Sequence, residues 1–579
     1  RVLRVVLIAA AVVVMVVGFT TYQAFKARSA MQTAADRLAT MSDEAAAGNP
    51  GAARQAMFDA QVATSSARRN TSGPVWWLAS KLPVVGDDVT AVRTVINVAD
   101  DVTQGILPDL IDASDSLAPA DLQPSGGRIK LAGIRAVAPA LAAANDKLGV
   151  EVDRAEAIDT SSLMSRVAAP VAELQTKLAD AHTVTERVSL AAQLLPTMLG
   201  GEQQQRTYLV MFQNNAEVRA GGGIPGAMAV VQAKNGRVKL TRQASLSDLP
   251  PFGVPVVPLS QAEEDLFGRN LGQYPADVTF TPDFERSAEL LREMWLRDTG
   301  QAVDGVISVD PVAMSYLLNA TGPVTLVDGT KLTAANAVDY LLHDVYTNVP
   351  DPDQQNAIFA DAASKVFAAL TTSQGDAQAL FDGLLKGAQE HRIRVWSADE
   401  AERNLLATTP LAGRMPTEAT STPQLGVYLN DGTGAKMDYY LKYGVDVAPQ
   451  SCTADGSQTL KFTITLKSTA PSDAADLPES VIGPGYGAKP GEILTNVLLY
   501  APFDGKVSKP LYDGKKSFFA PYEHEGRNVA AQTVELAPGA THTVTYTVTT
   551  GAGQTSSPHV DLTPGFADTG TVKVAAPTC

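Results

Sequence analysis

The sequence predicts a multidomain chain: an N-terminal transmembrane helix and helical stalk, a central α/β domain, and a C-terminal immunoglobulin-like β-sandwich. Three observations carry that reading. Residues 5 to 19 are an unbroken run of apolar or small residues. From there to about residue 200 the chain is Ala-rich, with apolar residues at helical spacing. After residue 205 strand-like and helix-like segments alternate, and after residue 425 only short alternating strands with turn signals remain.

The apolar run lies between Arg1 and Arg4 on one side and Lys26 and Arg28 on the other. With Val2, Leu3, Gly18, Thr20 and Thr21 it reaches the ~20 residues that a bilayer requires. A cleaved signal peptide is the rival reading. No A-x-A-like site follows closely and helical sequence continues, which favours an anchor over residues 1–22. The leading arginines place the N-terminus inside and everything after about residue 22 outside the cell. Because the first residue is not Met, a preceding cytoplasmic tail is expected to have been removed.

Residues 23–204 read as the stalk. Met31, Ala34, Leu38 and Met41 share one helix face, and a break at Gly48, Asn49, Pro50 and Gly51 ends that helix. A second helix presents Ala53, Met57, Ala60 and Ala63, and a third presents Val92, Val95, Ile96, Ala99 and Val102. Trp76 and Trp77 are read in two ways: as an element resting in lipid headgroups, or as a plug in the core of the helical bundle. Residues 205–420 form the α/β domain. Strands are expected at 208–213, 227–233, 238–242, 305–309, 324–327 and 393–396, and helices at 283–296 and 334–345. The Pro-rich loop 250–258 is long enough for a lid or a site wall. Residues 425–579 form the sandwich, with strands such as LKFTITLKS and THTVTYTVTT.

A net charge of −16 and a pI near 4.9 argue against nucleic acid as a partner and against an electrostatic grip on anionic lipid. There are two cysteines, Cys452 and Cys579. Outside the cell they are expected to pair and staple both ends of the sandwich, contributing ~4 to 5 kcal/mol in the chain-entropy model.

The candidate site is the stretch YLVMFQNNAEVRAGGGIPGAMAVVQ from Tyr208 to Gln232. Gly221, Gly222 and Gly223 allow positive φ and close backbone approach, and their N–H groups can form an anion-binding concavity. Arg219 would add a fork of donors suited to phosphate or carboxylate. A glycine-rich hairpin with a solvated arginine is the bland alternative.

The run QNNAEVRAGGGIPGA, with strands on both sides and a following NGR turn, resembles the signature of the bacterial family called domain of unknown function 4012. Asn214, Asn215, Glu217, Arg219 and Gly222 carry that resemblance, and the name brings no assigned chemistry. A more distant resemblance starts at residue 299, where TGQAVDGVISVDPVAMSYLLNATGPVTLVDGTKLTAANAVDYLLHDVY is similar to the LytR-CpsA-Psr family. That family is membrane-anchored and transfers glycopolymers from polyprenyl-pyrophosphate carriers to the cell wall; in it an Arg-Ser-Asp turn after an early strand grips the pyrophosphate and magnesium, and a later Arg-rich helix start completes the clamp. The resemblance implies that Arg219 occupies the first of those positions and that magnesium or another divalent cation is the cofactor. The chain departs from the pattern twice. Ala220 and glycines replace the early Ser-Asp, and VPDPDQQNA stands where late arginines would fall. Like charges there would repel a pyrophosphate.

No P-loop, G-x-S-x-G, H-E-x-x-H or C-x-x-C motif is present. The six histidines are scattered, and only His343 falls near the candidate site. Asp344, Asp351 and Asp353 are the candidate cation ligands, with solvated acids as the alternative. Three functional classes remain open: an envelope protein acting on polyprenyl-linked or wall glycopolymer, a non-catalytic binder or scaffold for other envelope proteins, and an adhesin or receptor using the sandwich. The first two require an apolar groove beside Arg219. For the first two, the expected ligand residues are Asn214, Asn215, Glu217, Arg219 and Gly221 to Gly223.

Overall fold

The computed structural model describes residues 2–47, 49–116, 127–201, 204–372, 376–566 and 570–575. Side chains of residues 2–21 are outside that description, and so is the expected anchor as a lipid-facing surface. Among the described residues no helix is long and apolar enough to cross a membrane. The chain divides into two compact units, residues 1–122 with 129–198, and residues 123–128 with 199–579.

The first unit is helical: α1 Val2–Ala46, α2 Pro50–Thr71, α3 Pro74–Ala79, α4 Gly86–Gly105, α5 Leu107–Ser116, α6 Leu131–Glu156 and α7 Ser165–Met198. Proline at the first turn of α2 suits a position whose N–H has no helical partner. α2 buries Ala53, Ala56, Ala60, Ala63 and Ala67, a stripe of small side chains that lets helices approach closely. Ala67 packs with Ala27 of α1 and Ile96 of α4. One buried acid ties two helices together. Asp100 of α4 accepts from Thr64 Oγ1 at 3.0 Å, Ser65 Oγ at 2.9 Å and Arg68 Nη1 at 3.1 Å.

The second unit begins with a mixed sheet in the order β3-β2-β1-β4-β7, where β1 is Gln205–Arg219, β2 Gly222–Lys234, β3 Arg237–Ser245, β4 Gly305–Val309 and β7 Ile393–Ser397. β1 pairs antiparallel with β2 and parallel with β4, so it sits at the centre. A two-stranded ribbon, β5 Val324–Thr325 with β6 Lys331–Leu332, lies apart from it. Alternation along β1 feeds two cores. Leu209 and Met211 pack with Phe284, Leu291 and Trp295 of α8 Phe284–Thr299. Val210 and Phe212 face Met314 of α9 Pro311–Thr321 and Ile358 of α10 Pro352–Thr372. Helices therefore cover both faces of the sheet. The Pro-rich segment is pinned to the chain that follows it: Phe252 N–H donates to the Gln273 carbonyl at 2.8 Å, and Val256 N–H donates to the Gly272 carbonyl at 2.9 Å.

The rest of the unit is β-rich. One sheet orders β13-β12-β16-β10-β9-β18 and the other β14-β15-β11-β8-β17. The strands are β8 Gln424–Asp431, β9 Leu441–Cys452, β10 Gln458–Ser468, β11 Ile493–Tyr500, β12 Lys506–Tyr512, β13 Lys515–Lys516, β14 Ala520–His524, β15 Arg527–Leu536, β16 Thr541–Thr549, β17 His559–Leu562 and β18 Thr571–Val574. Val427, Leu429, Val497 and Val534 of the second sheet share a core with Val445, Phe462, Ile464 and Tyr546 of the first. The sheets of six and five strands exceed the seven or nine of an immunoglobulin domain. Their last strands, β17 and β18, add in parallel to β8 and β9. Cys452 ends β9, and Cys579 lies outside the described residues, as does the expected bond between them.

Candidate functional site

β1 outruns its neighbour. Its pairing with β4 stops at Phe212 and Val309, and residues 213–219 continue beside β2. The register with β2 shifts between Asn214 and Val218, leaving residues 215–217 without opposite partners. Such a bulge re-aims side chains. Here it directs them into the β-rich region. Val218 joins the core of the two sheets, and its N–H donates to Asp438 Oδ2 at 2.8 Å. Ala220 N–H donates to Asn430 Oδ1 at 2.8 Å, and Asn215 Nδ2 donates to the Pro564 carbonyl at 3.3 Å.

A buried charge network closes this junction. Glu217 Oε1 accepts from Arg219 Nη2 at 2.6 Å, and Oε2 accepts from Lys436 Nζ. Arg219 Nη1 lies 3.7 Å from Asp431 Oδ2, and the guanidinium sits 4.5 Å from the centre of the Phe280 ring. The Arg219 side chain is only 5% exposed. Burial pushes the Glu217 carboxyl up, but Lys436 and Arg219 outweigh it and hold the group below its ordinary value. Burial raises Asp431 despite Arg219, and burial together with the Asp431 charge drives Asp438 well above the carboxylate range. Two cations thus face two carboxylates and a third acid pushed toward its neutral form. Little positive charge is left for an incoming anion.

The remaining expected ligand residues serve the same junction. Asn214 Nδ2 donates to the Tyr346 hydroxyl at 2.6 Å, while its Oδ1 accepts from Ala216 N–H at 2.9 Å. Asn215 Nδ2 also lies 3.2 Å from Asp310 Oδ2, which accepts from Arg392 Nη1 at 2.9 Å. The glycines do not form an anion nest. Gly221 N–H donates to the Thr279 carbonyl at 2.9 Å, and the Gly221 carbonyl accepts from Gln213 Nε2 at 2.8 Å and Arg394 Nη1 at 2.6 Å. A Cβ on Gly223 would fall 2.3 Å from the Asn214 carbonyl oxygen, and Gly222 holds φ +116°. Close strand packing is what requires these glycines.

The candidate cation ligands do not converge. Asp351 Oδ1 accepts from Asp353 N–H at 3.0 Å and Oδ2 from Gln354 Nε2 at 3.0 Å, which is a cap on α10. His343 hydrogen bonds with Asp344 and with the Tyr440 hydroxyl, and stacks on Tyr439 at 4.6 Å. Among the described residues no group of three or more His, Cys, Asp or Glu is placed to hold a metal ion.

Beside Arg219 lies a cleft of about 720 Å³. Phe267, Phe280, Tyr486 and Tyr522 supply aromatic surface, while Asn270 and Asn496 supply amides. Asp277 also lines it, and burial pushes that carboxyl up to about 6 against the pull of Arg219. Where an apolar groove is expected, the cleft is therefore a mixed one. Asp431, Lys436 and Asp438 escape sequence reasoning because they lie more than 200 residues from Arg219; their one local signal is the turn NDGTG, where Asp431 Oδ2 accepts from Thr433 and Gly434 N–H. Sequence spacing also does not bring out His391 and His559, which both approach Asp561 Oδ1, at 3.7 and 3.1 Å, in a second cleft of about 620 Å³.

Residues 203–346, from β1 through the helical turn bearing Tyr346, match the sequence model of a protein family of unknown function, domain of unknown function 4012. Over that segment the chain is similar to this family. The matched segment holds the bulge, the glycines and Tyr346, whereas Asp431, Lys436 and Asp438 lie beyond it. No curated protein and no solved structure matches the chain.

Proposed function

We propose that this chain is a membrane-anchored, extracytoplasmic cell-envelope protein that binds a wall glycopolymer through its sugar residues, in the cleft beside Arg219. The lining of that cleft carries the reading. Sugars present C–H faces that lie on aromatic rings and hydroxyls that pair with amides able both to donate and to accept. Phe280, Tyr486, Asn270, Asn496 and Asp277 offer both kinds of surface in one depression. The strand and helix order similar to LytR-CpsA-Psr proteins, and the apolar run at 5–19, favour an envelope setting.

Binding of a pyrophosphate by Arg219, and phosphotransfer with it, is the weaker reading. The guanidinium is 5% exposed and already bound to Glu217, with Asp431 close by. A transferring phosphate needs unpaired positive charge that the junction does not offer. The test uses two exposed side chains of the cleft, Asn270 and Tyr486. Asn270→Ala and Tyr486→Ala should each weaken binding of glycan fragments released from the source cell wall by roughly five- to tenfold, a hydrogen bond or stacking contact each, without altering stability. Unchanged binding in both variants would remove the cleft from the account. Absence of any glycan binding by the wild type would favour the scaffold or adhesin class instead.

A further inference from the structure

We infer that the corner formed by residues 77–85 of the first unit, with Tyr22 and Phe25 of α1, is a second membrane contact that rests in the headgroup zone of the bilayer. The inference rests on the anchor reading above and adds a surface to it. The two adjacent tryptophans do different jobs. Trp76 is 5% exposed and its Nε1 donates to Gln23 Oε1 at 3.1 Å, which fixes the corner to α1. Trp77 points out and is 55% exposed.

Around Trp77 the apolar side chains stay outside the core. Leu78, Leu82 and Val84 are exposed, Val84 almost completely at 93%, and Tyr22 and Phe25 flank Gln23 on α1 with 55% and 71% exposure. Exposed apolar residues occur elsewhere in the unit, such as Phe58 on α2 and Val150 on α6. Scattered single residues need no explanation, whereas four within the eight positions 77–84 do. Val84 also holds φ +80°, a conformation that a β-branched residue adopts only under strain. Among the described residues no burial offsets that strain.

Position on α1 identifies the partner as lipid. The backbone of α1 is one continuous helix from Val2 to Ala46, so the apolar run at 5–19 leads directly into Tyr22 and Phe25. At 1.5 Å per residue these lie about 5 to 9 Å beyond Phe19. The headgroup layer on each side of a ~30 Å hydrocarbon core is about 5 to 8 Å thick. Aromatic rings with a polar edge favour that layer. Cations complete the match: Lys26 Nζ sits 4.9 Å over the Tyr22 ring, and the exposed Lys81 lies within the corner, both suited to lipid phosphates.

The test places an environment-sensitive fluorophore on the full chain at Val84→Cys, with Phe58→Cys on α2 as the water-facing control. Phe58 lies nine residues along α2 from Ala67, which packs on Ala27, so it sits about 13 Å further along the bundle. Each variant is reconstituted into vesicles of phosphatidylcholine and phosphatidylglycerol, then probed with bromine-tailed phospholipid and with alkaline extraction. We expect the Val84 probe to shift to the blue and to be quenched by the brominated lipid, and the Phe58 probe to do neither. A chain that resists extraction while its Val84 probe behaves like the Phe58 probe overturns the inference and leaves the anchor intact. A chain that is extracted, yet whose Val84 probe is quenched before extraction, overturns the anchor and leaves the contact standing. Extraction with a water-exposed Val84 probe overturns both.

Discussion

Glu217→Ala tests the claim that the bulged end of β1 is a latch between the sheet and the β-rich region. The carboxylate is 3% exposed and holds two cations at once, Arg219 and Lys436. Removing it leaves Lys436 without an ion-pair partner among the described residues. Breaking a buried pair by deleting one member costs about 3 to 5 kcal/mol, most of it the cost of the charge left behind. Arg219 keeps Asp431 at 3.7 Å, and the Lys436 side chain is 17% exposed, so the loss belongs at the low end, about 3 kcal/mol. Urea unfolding followed by the fluorescence of Trp295 and Trp396, both in the second unit, reads it. Replacing both partners, Glu217→Gln with Lys436→Met, should recover most of the loss, because the uncompensated charge is gone. A loss under about 1 kcal/mol in the single variant would refute the latch.

Asp277 gives a pH signature. Its folded pKa, about 6, lies above the ordinary 3.8, so the folded state holds the proton more tightly than the unfolded one. Its contribution is therefore complete below about pH 4 and is lost as pH rises through about 6. Asp277→Asn should stabilise the second unit at pH 7.5 by about 1 to 3 kcal/mol and change little at pH 4, read by denaturation at both values. Gly223→Ala forces a Cβ to 2.3 Å from the Asn214 carbonyl oxygen, so it should cost several times the effect of the same change at Gly253, where a Cβ meets nothing within 4 Å; urea midpoints compare them. Cys452 and Cys579 should resist thiol labelling under denaturing, non-reducing conditions, and full labelling of material from the native compartment would sink their pairing.

Local patterns made much of the architecture legible. Alternation along Tyr208 to Gln213 marked β1, and the apolar stripe of Phe284, Ala288, Leu291 and Trp295 marked α8, because a two-core sheet and a helix packed on it leave periodic traces. The end of β1 departs from that pattern. Six more residues, 214–219, continue as strand through a bulge that depends on partners more than 200 residues away. Arg219 stood out because an arginine beside three glycines suits an anion, yet its meaning depends on Glu217, Asp431 and Lys436, and only the first of these is near it in sequence. The segment from 334 to 345 reads as one helix. It folds as one helical run over 337–348 with a π-helical middle at Tyr340–Asp344, an irregularity that apolar spacing does not encode.

The most direct measurement is a paired titration of one preparation of the chain. One titrant is a wall glycan fragment, and the other is the same fragment still joined to polyprenyl pyrophosphate, held below its aggregation threshold. If the cleft reads sugar and the cations at the junction are already neutralised, the two affinities agree within about twofold, and inorganic pyrophosphate does not compete. A carrier-linked fragment that binds more than about tenfold tighter, about 1.4 kcal/mol, with competition by pyrophosphate, would contradict the account and return Arg219 to the role of a phosphate ligand.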